Sequence, residues 1–327
     1  MPMRTMLATA RRDAWEWEQG QAGLAQRLAD WRAGDAAAPV LAAMERFGRG
    51  EPLEKCSGLA DLFADESGAA MDFVRSFAAV GLAGLRDHPL GQLPLRHGMR
   101  TAAPALVLAS SGRASLALAG YDGSVLDTLP APKTAKFAPR ETWIHVLDGT
   151  GTADLVLLRD EEAEGERRVL HSGSLALRPG TVAYRYGPRQ ALQVRSAKGH
   201  LVLLRLQRRF AGHEPAREYS VPDGALVHQT AGRVEDTLLE LAVNLLGRMR
   251  RRDAVWPMIR LASGVKDPEA GESLRWQAMR EALAMDSAAG LDLLAMLATS
   301  PGDPLAAPAA ALRASLLETR PELGRSG

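Results

Sequence analysis

Seven histidines are spread through the chain: His88, His97, His145, His171, His200, His213 and His228. A first-row metal needs about three or four nitrogen, oxygen or sulfur donors converging on one point. No His-x-His or His-x-x-x-His pair occurs to supply two of them from one element. His88 and His97 bracket the loop PLGQLPLR, which could fold over the mouth of the domain that follows. An ordered connector is the preferred reading of that loop. With His145 and Glu141, these two histidines complete the candidate metal set. The single cysteine, Cys56, excludes an intrachain disulfide and a cysteine-based zinc site. No cofactor is expected, and a divalent metal is disfavoured.

Tyrosines and arginines offer different chemistry. Tyr184 and Tyr186 each combine an apolar ring with a hydroxyl that seeks a partner when buried. They are candidates for hydrogen-bonding a small molecule, or for filling the space in which a metal would sit. Arg178, Arg185 and Arg189 lie near the same turns and suit a carboxylate or phosphate, although a solvated strand edge is preferred. Thr142, Ile144 and Val146 share one parity of a strand, so they line one face while His145 points to the other. The candidate ligand residues are therefore Thr142, Ile144, Val146, Tyr184, Tyr186 and Arg178.

Other motifs are missing. Gly149-Thr150-Gly151 lacks the third glycine and the following helix of a dinucleotide loop. No Gly-x-Ser-x-Gly elbow, Walker loop or His-Glu-x-x-His is present. Arg248-Met249-Arg250-Arg251-Arg252 falls at a helix end, where cations complement the dipole. A net charge of +1 argues against nucleic acid as a partner.

The elements that carry these residues follow from periodicity. Residues 1–98 read as a helical domain. Leu24, Leu28 and Trp31 share a face that Gly34 terminates, and Phe73, Phe77 and Val80 mark a helix over Met71–Leu85. Residues 99–210 read as short strands divided by turn signals, including Ser110-Ser111-Gly112, Gly149-Thr150-Gly151, Pro179-Gly180 and Lys198-Gly199. Residues 211–232 read as a linker or a loop wrapping the strands. Residues 233–327 return to helices. Thr237-Leu238-Leu239-Glu240 reads as a capping box for a helix burying Leu238, Leu241, Leu245 and Met249. Asp253 and Ser287 are expected to cap later helices.

Several residues in the middle third match a family pattern. Gly173 is followed six positions later by Pro179 and then Gly180, and Val146-Leu147-Asp148-Gly149 forms a second turn. This stretch resembles the cupin superfamily, which implies a closed antiparallel jelly-roll barrel that often pairs through a sheet face as a homodimer. The metal-binding positions implied by the resemblance are occupied by Tyr184 (or Ala183) and Thr142, and KTAKFAPR holds no histidine. The segments DAVWPMIRLA and AAGLDLLAMLA resemble the second helices of successive HEAT-like hairpins. The fold class is thus an N-terminal helical domain, a central cupin-like β-barrel and a C-terminal HEAT-like helical domain.

Hydrophobic residues make up 46% of the chain and charged residues 24%, which is ordinary for a globular protein. The start lacks the apolar core of a signal peptide, and no run approaches the ~20 apolar residues of a membrane span. A cytoplasmic protein with no membrane partner is expected. The leading functional expectation is a non-enzymatic interaction, regulatory or accessory protein. Its metal-free barrel would sense a small molecule, and its helical domains would bind another protein. The alternative is a cupin-superfamily enzyme of oxygenase or isomerase type, acting on a small metabolite or peptide through a non-standard metal site.

Overall fold

The structure is a computed structural model that describes residues 14–64, 68–98, 102–159, 168–212, 214–265 and 267–320. The chain divides into two compact units, Met1–Phe210 with Glu218–Val227, and Ala211–Arg217 with His228–Gly327. No described helix is long and apolar enough to cross a membrane.

In the first unit, α1 (Ala14–Ala33), α2 (Ala38–Arg49), α3 (Ser57–Ala60) and α4 (Ala69–Asp87) precede the strands. Leu24, Leu28 and Trp31 are buried, as their spacing predicts. The Trp31 ring meets Phe73 and Phe77 of α4 at 5.4 and 5.3 Å, and its Nε1 donates to Ser76 Oγ at 3.0 Å. That bond satisfies the indole donor inside an otherwise apolar contact.

The strands are β1 (His97–Gly98), β2 (Ala105–Ser111), β3 (Ala114–Asp122), β4 (Thr134–Phe137), β5 (Arg140–Arg159), β6 (Val169–Leu177), β7 (Val182–Tyr186), β8 (Gln190–Arg209), β9 (Arg217–Ser220) and β10 (Leu226–Gln229). A one-turn helix, α5 (Gly123–Leu126), follows β3. One antiparallel sheet runs β1-β2-β3-β8-β5-β6, with β7 also on β5. A smaller sheet runs β10-β9-β4, and its strands occupy part of the segment expected to be linker. Tyr219 explains that difference, because it is buried and packs on Phe137 at 5.9 Å.

Two further expectations are corrected here. The barrel is not closed, since β1 and β6 remain as edges among the described residues. In place of closure, β5 and β8 are each 20 residues long and bend together. The N-terminal half of β5 pairs with β7 and its C-terminal half with β6, while β8 accompanies it throughout. Gly149-Thr150-Gly151 and Lys198-Gly199 are therefore bends inside continuous strands rather than turns between strands. Register shifts at Val146/Asp148, Gly149/Gly151 and Thr152/Ala153 absorb the curvature. Gly149 has φ +84°, and a Cβ there would lie 2.0 Å from the His200 carbonyl oxygen.

Alternation along these strands sorts the side chains. Trp143, Leu204 and Leu206 face the helices and join a core with Phe47, Leu108 and Leu116. Ile144, Val146, Leu201 and Leu203 face the other way, with Ala119, Ala153 and Leu177. Arg208 ties the helical layer to the sheet. Its guanidinium pairs with Glu141, donates to the carbonyls of Phe47 and Glu51 at 2.9 and 2.6 Å, and lies 4.0 Å from the Phe47 ring centroid.

The second unit contains α6 (Val234–Arg248), α7 (Val255–Ala262), α8 (Glu272–Met285), α9 (Ser287–Ala298) and α10 (Ala306–Thr319). The helix α8 is central: α6, α7 and α9 all pack on it, and α10 packs on α9. Leu274, Ala278, Met279 and Ala282 of α8 form the middle of the core.

The cap expectations shift by small amounts. Thr237 lies inside α6 rather than at its start. Asp286 caps α9 in place of Ser287, accepting from the Ala289 N–H at 3.1 Å. Asp253 pairs with Arg251. A larger difference concerns α6. Its expected core residues Leu238, Leu241, Leu245 and Met249 are exposed, and Asp236 and Val243 are buried instead. Asp236 Oδ2 accepts the Gly271 N–H at 2.9 Å, where α8 begins, and Val243 and Leu246 of α6 pack into the core.

One ion pair in this unit predicts acid sensitivity. Arg275 donates to Asp303 at 2.6 Å and to the Ala262 carbonyl at 2.9 Å, largely out of solvent. The Arg275 bond holds the Asp303 carboxyl below its ordinary 3.8. A depressed folded-state value means that the pair's contribution is complete above 3.8 and is lost as pH falls through the lower folded value. Acid unfolding followed by circular dichroism should show this component, and Asp303→Asn should make the acid limb shallower. An unchanged acid limb would remove the pair from the account.

Candidate functional site

The inward parity of β5, β7 and β8 builds a cavity of about 200 Å³. Thr142 and Ile144 come from β5, Ala183 and Arg185 from β7, and Leu203, Arg205 and Gln207 from β8. Register places them together: Thr142 is opposite both Arg185 and Gln207, and Ile144 is opposite both Ala183 and Arg205. Leu155, Leu175, Leu192 and Val194, from beyond the bend, supply an apolar wall. A second, wider cleft of about 380 Å³ shares Tyr121, Arg185, Leu192, Arg205 and Gln207 and adds Lys136, Arg140 and Gln193. One end of the joined space is thus apolar and the other basic. Among the described residues, no Asp or Glu lines either cavity.

The polar groups are incompletely satisfied. Arg185 donates to Thr142 Oγ1 at 3.3 Å, and Gln207 Nε2 reaches the same oxygen at 3.4 Å. Arg205 Nε is buried with no hydrogen-bond partner. Burial, and then the nearby charges of Arg140 and Arg205, push the Arg185 guanidinium down to about 10. It stays charged at neutral pH, so the site holds crowded positive charge in a low-dielectric setting. An anion placed between Arg185 and Arg205 would relieve both the crowding and the unbonded N–H.

Of the residues predicted from sequence, Thr142 and Ile144 line the cavity, and Val146 is fully buried in the core beneath it. Tyr184 also borders the cavity, although its ring, like that of Tyr186, packs on the other side of the sheet. Tyr184 is opposite Trp143 and packs on that ring at 4.9 Å, and Tyr186 packs on Phe210 at 5.4 Å. The parity that brings Arg185 inward turns both tyrosines outward. Arg178 is exposed, in the connection before β7.

The metal candidates are not brought together. His88 packs against Gly20 and Gly23 of α1, and His97 is exposed on β1. His145 is buried toward the helices with Nδ1 2.8 Å from the Leu62 carbonyl oxygen, and Glu141 is held by Arg208. Among the described residues, no group of three or more His, Cys, Asp or Glu is placed to hold a metal. His213 lies outside the described residues.

Sequence reasoning missed Arg205 and Gln207. The signal was present: GHLVLLRLQRR puts one arginine inside an apolar run, at the same parity as Leu201 and Leu203. A charge at a core parity of a long strand marks a buried polar site.

No family model matches the chain, and no curated protein matches it. Matches among solved structures are partial. A 7S globulin from Momordica charantia is 12% identical with a TM-score of 0.26, covering 38% of this chain and 35% of that one. A vicilin from Corylus avellana is 11% identical with a TM-score of 0.26, covering 38% and 34%. A cupin superfamily protein from Desulfitobacterium hafniense is 13% identical with a TM-score of 0.22, covering 35% and 83%. The chain spans about a third of the length of the globulin and of the vicilin.

Proposed function

We propose that the bent sheet binds a small organic anion with an apolar body, and that the chain is a ligand-responsive interaction protein. The observation that carries this reading is the buried, unbonded Nε of Arg205 beside Arg185, in a cavity that no carboxylate of the described residues lines. An unmade buried hydrogen bond costs about 1–3 kcal/mol, and more for a charged group. A carboxylate or phosphate accepts from a guanidinium in a fork geometry and offsets that cost. The apolar wall of Ile144, Leu155, Leu175, Leu192 and Val194 suits the rest of the ligand. An interior of about 200 Å³ is smaller than the roughly 300–1,000 Å³ of drug-sized sites, which favours a small metabolite.

Among the described residues, no histidine, cysteine or carboxylate lines the inner cavity. Its groups hold and orient negative charge, and this favours binding over the alternative of an oxygenase or isomerase. On this reading the helices of the second unit, including any HEAT-like stacking, serve a protein partner.

Calorimetric titration with short- and medium-chain carboxylates and organic phosphates tests the proposal. One class should bind saturably. Arg205→Met, which keeps the stem and removes the charge, should weaken that binding roughly 30-fold or more, as expected for losing one partner of a buried charged bond. The thermal midpoint without ligand should hold or rise, because the unsatisfied charge is gone. Saturable binding that Arg205→Met leaves intact, or no binding by any member of either class, would sink the reading.

A further inference from the structure

The helix α6 carries its leucines on the wrong side for a helix that serves only its own core. Leu238, Leu241, Leu245 and Met249 follow 3-4-4 spacing, so they form one stripe. Their exposures are 63%, 65%, 59% and 56%. The opposite face holds Asp236 and Val243, both buried. Asp236 is fixed there by the Gly271 N–H, so the helix cannot roll to bury its leucines without breaking that bond. A stripe of this kind exposes on the order of 400 Å² of apolar surface, within the roughly 300–600 Å² of a monomer's largest patch and about half of the ~800 Å² that a standard interface takes from each partner.

We propose that this stripe is covered by the same stripe of a second copy of the chain, with the two α6 helices antiparallel about a two-fold axis. Two observations select this occupant. The stripe is close to palindromic about residue 243: under antiparallel pairing Leu238 meets Met249 of the other copy, and Leu241 meets Leu245. Such a self-complementary patch is what a two-fold interface requires. The ends of α6 also differ in charge. Glu235 lies in the first turn, while Arg248, Arg250 and Arg252 lie at or just beyond the C-terminus. Antiparallel pairing sets the acidic end of one helix beside the basic end of the other, and it opposes the two helix dipoles.

Light scattering coupled to size exclusion tests this directly with the full chain. The wild-type protein should run at twice its 35.1 kDa mass, falling toward 35.1 kDa on dilution. Leu241→Glu and Leu245→Arg should each abolish the dimer, because each places like charges at the interface. Their thermal melts should match the diluted wild type, since both side chains are more than half exposed. Mixing the two variants should restore the doubled mass. In the antiparallel register the new glutamate of one copy faces the new arginine of the other, and Leu245 still meets Leu241. A parallel pair would set position 241 against 241 and recover nothing. A wild type that is monomeric at every concentration, a dimer indifferent to both substitutions, or a mixture that stays monomeric would overturn the proposal.

Discussion

Gly149→Ala is expected to destabilise the first unit by more than about 4 kcal/mol, in the range reserved for severe backbone conflicts. The new Cβ would meet the His200 carbonyl oxygen at 2.0 Å and the Leu201 Cα at 2.9 Å. Both are backbone atoms in the middle of the β5–β8 pairing, where Gly149 is opposite Leu201. Neither can retreat without shifting the register on both sides of the bend. The φ of +84° adds the left-handed penalty of roughly 1–2 kcal/mol. Gly180 separates the two causes. It has nearly the same φ, +85°, but nothing within 4 Å of its Cβ position. Gly180→Ala should therefore cost only about 1–2 kcal/mol. Urea unfolding of both variants gives the comparison. Equal losses would mean that dihedral strain, and not the close approach, makes Gly149 irreplaceable.

Removing Arg208 is the second large effect. Its side chain is 14% exposed and that of its partner Glu141 is 13% exposed. Arg208→Ala leaves a carboxylate with little solvent, strips the donors from two carbonyls, and removes the cation from the Phe47 ring. Breaking one side of a buried pair costs about 3–5 kcal/mol, because the remaining charge is uncompensated. For a unit of this size that corresponds to a fall in melting temperature of roughly 6–20 °C. Glu141→Gln in the Arg208→Ala background should return part of the loss by neutralising the stranded charge. If the double variant is no more stable than Arg208→Ala alone, the packing of the arginine stem, and not its charge, holds the helices to the sheet.

Much of this organisation is legible in the residues. The apolar faces of α1 and α4, the change to strand periodicity after His97, and the return to helices after residue 233 all rest on local patterns. Local patterns fail where long-range pairing decides. Gly149-Thr150-Gly151 looks like a turn because glycine serves turns and bends equally, and only the unbroken partner strand distinguishes them. Closure fails for a related reason: whether edge strands meet depends on curvature accumulated over several strands.

The site is partly legible. Parity placed Thr142 and Ile144 on the cavity side and His145 on the other, from β5 alone. The case for the tyrosines rests on their chemistry and not on parity; Tyr184 borders the cavity while its ring packs on Trp143, and register across β5–β7 brings Arg185 opposite Thr142. The helix α6 shows the same limit. Its leucines have the spacing of a core face, yet one bond from Asp236 to the start of α8 settles which face turns inward.

The continuity of β5 and β8 also bears on how this pocket could diversify. Much of its wall is carried on β5 and β8, which run through the bend without interruption, so neither strand offers a loop at the bend to reshape the chamber. New ligand preferences would have to arise by exchanging single side chains such as Leu155, Leu175 or Val194. Each exchange would be confined to one parity, because the next residue along the same strand belongs to a different core.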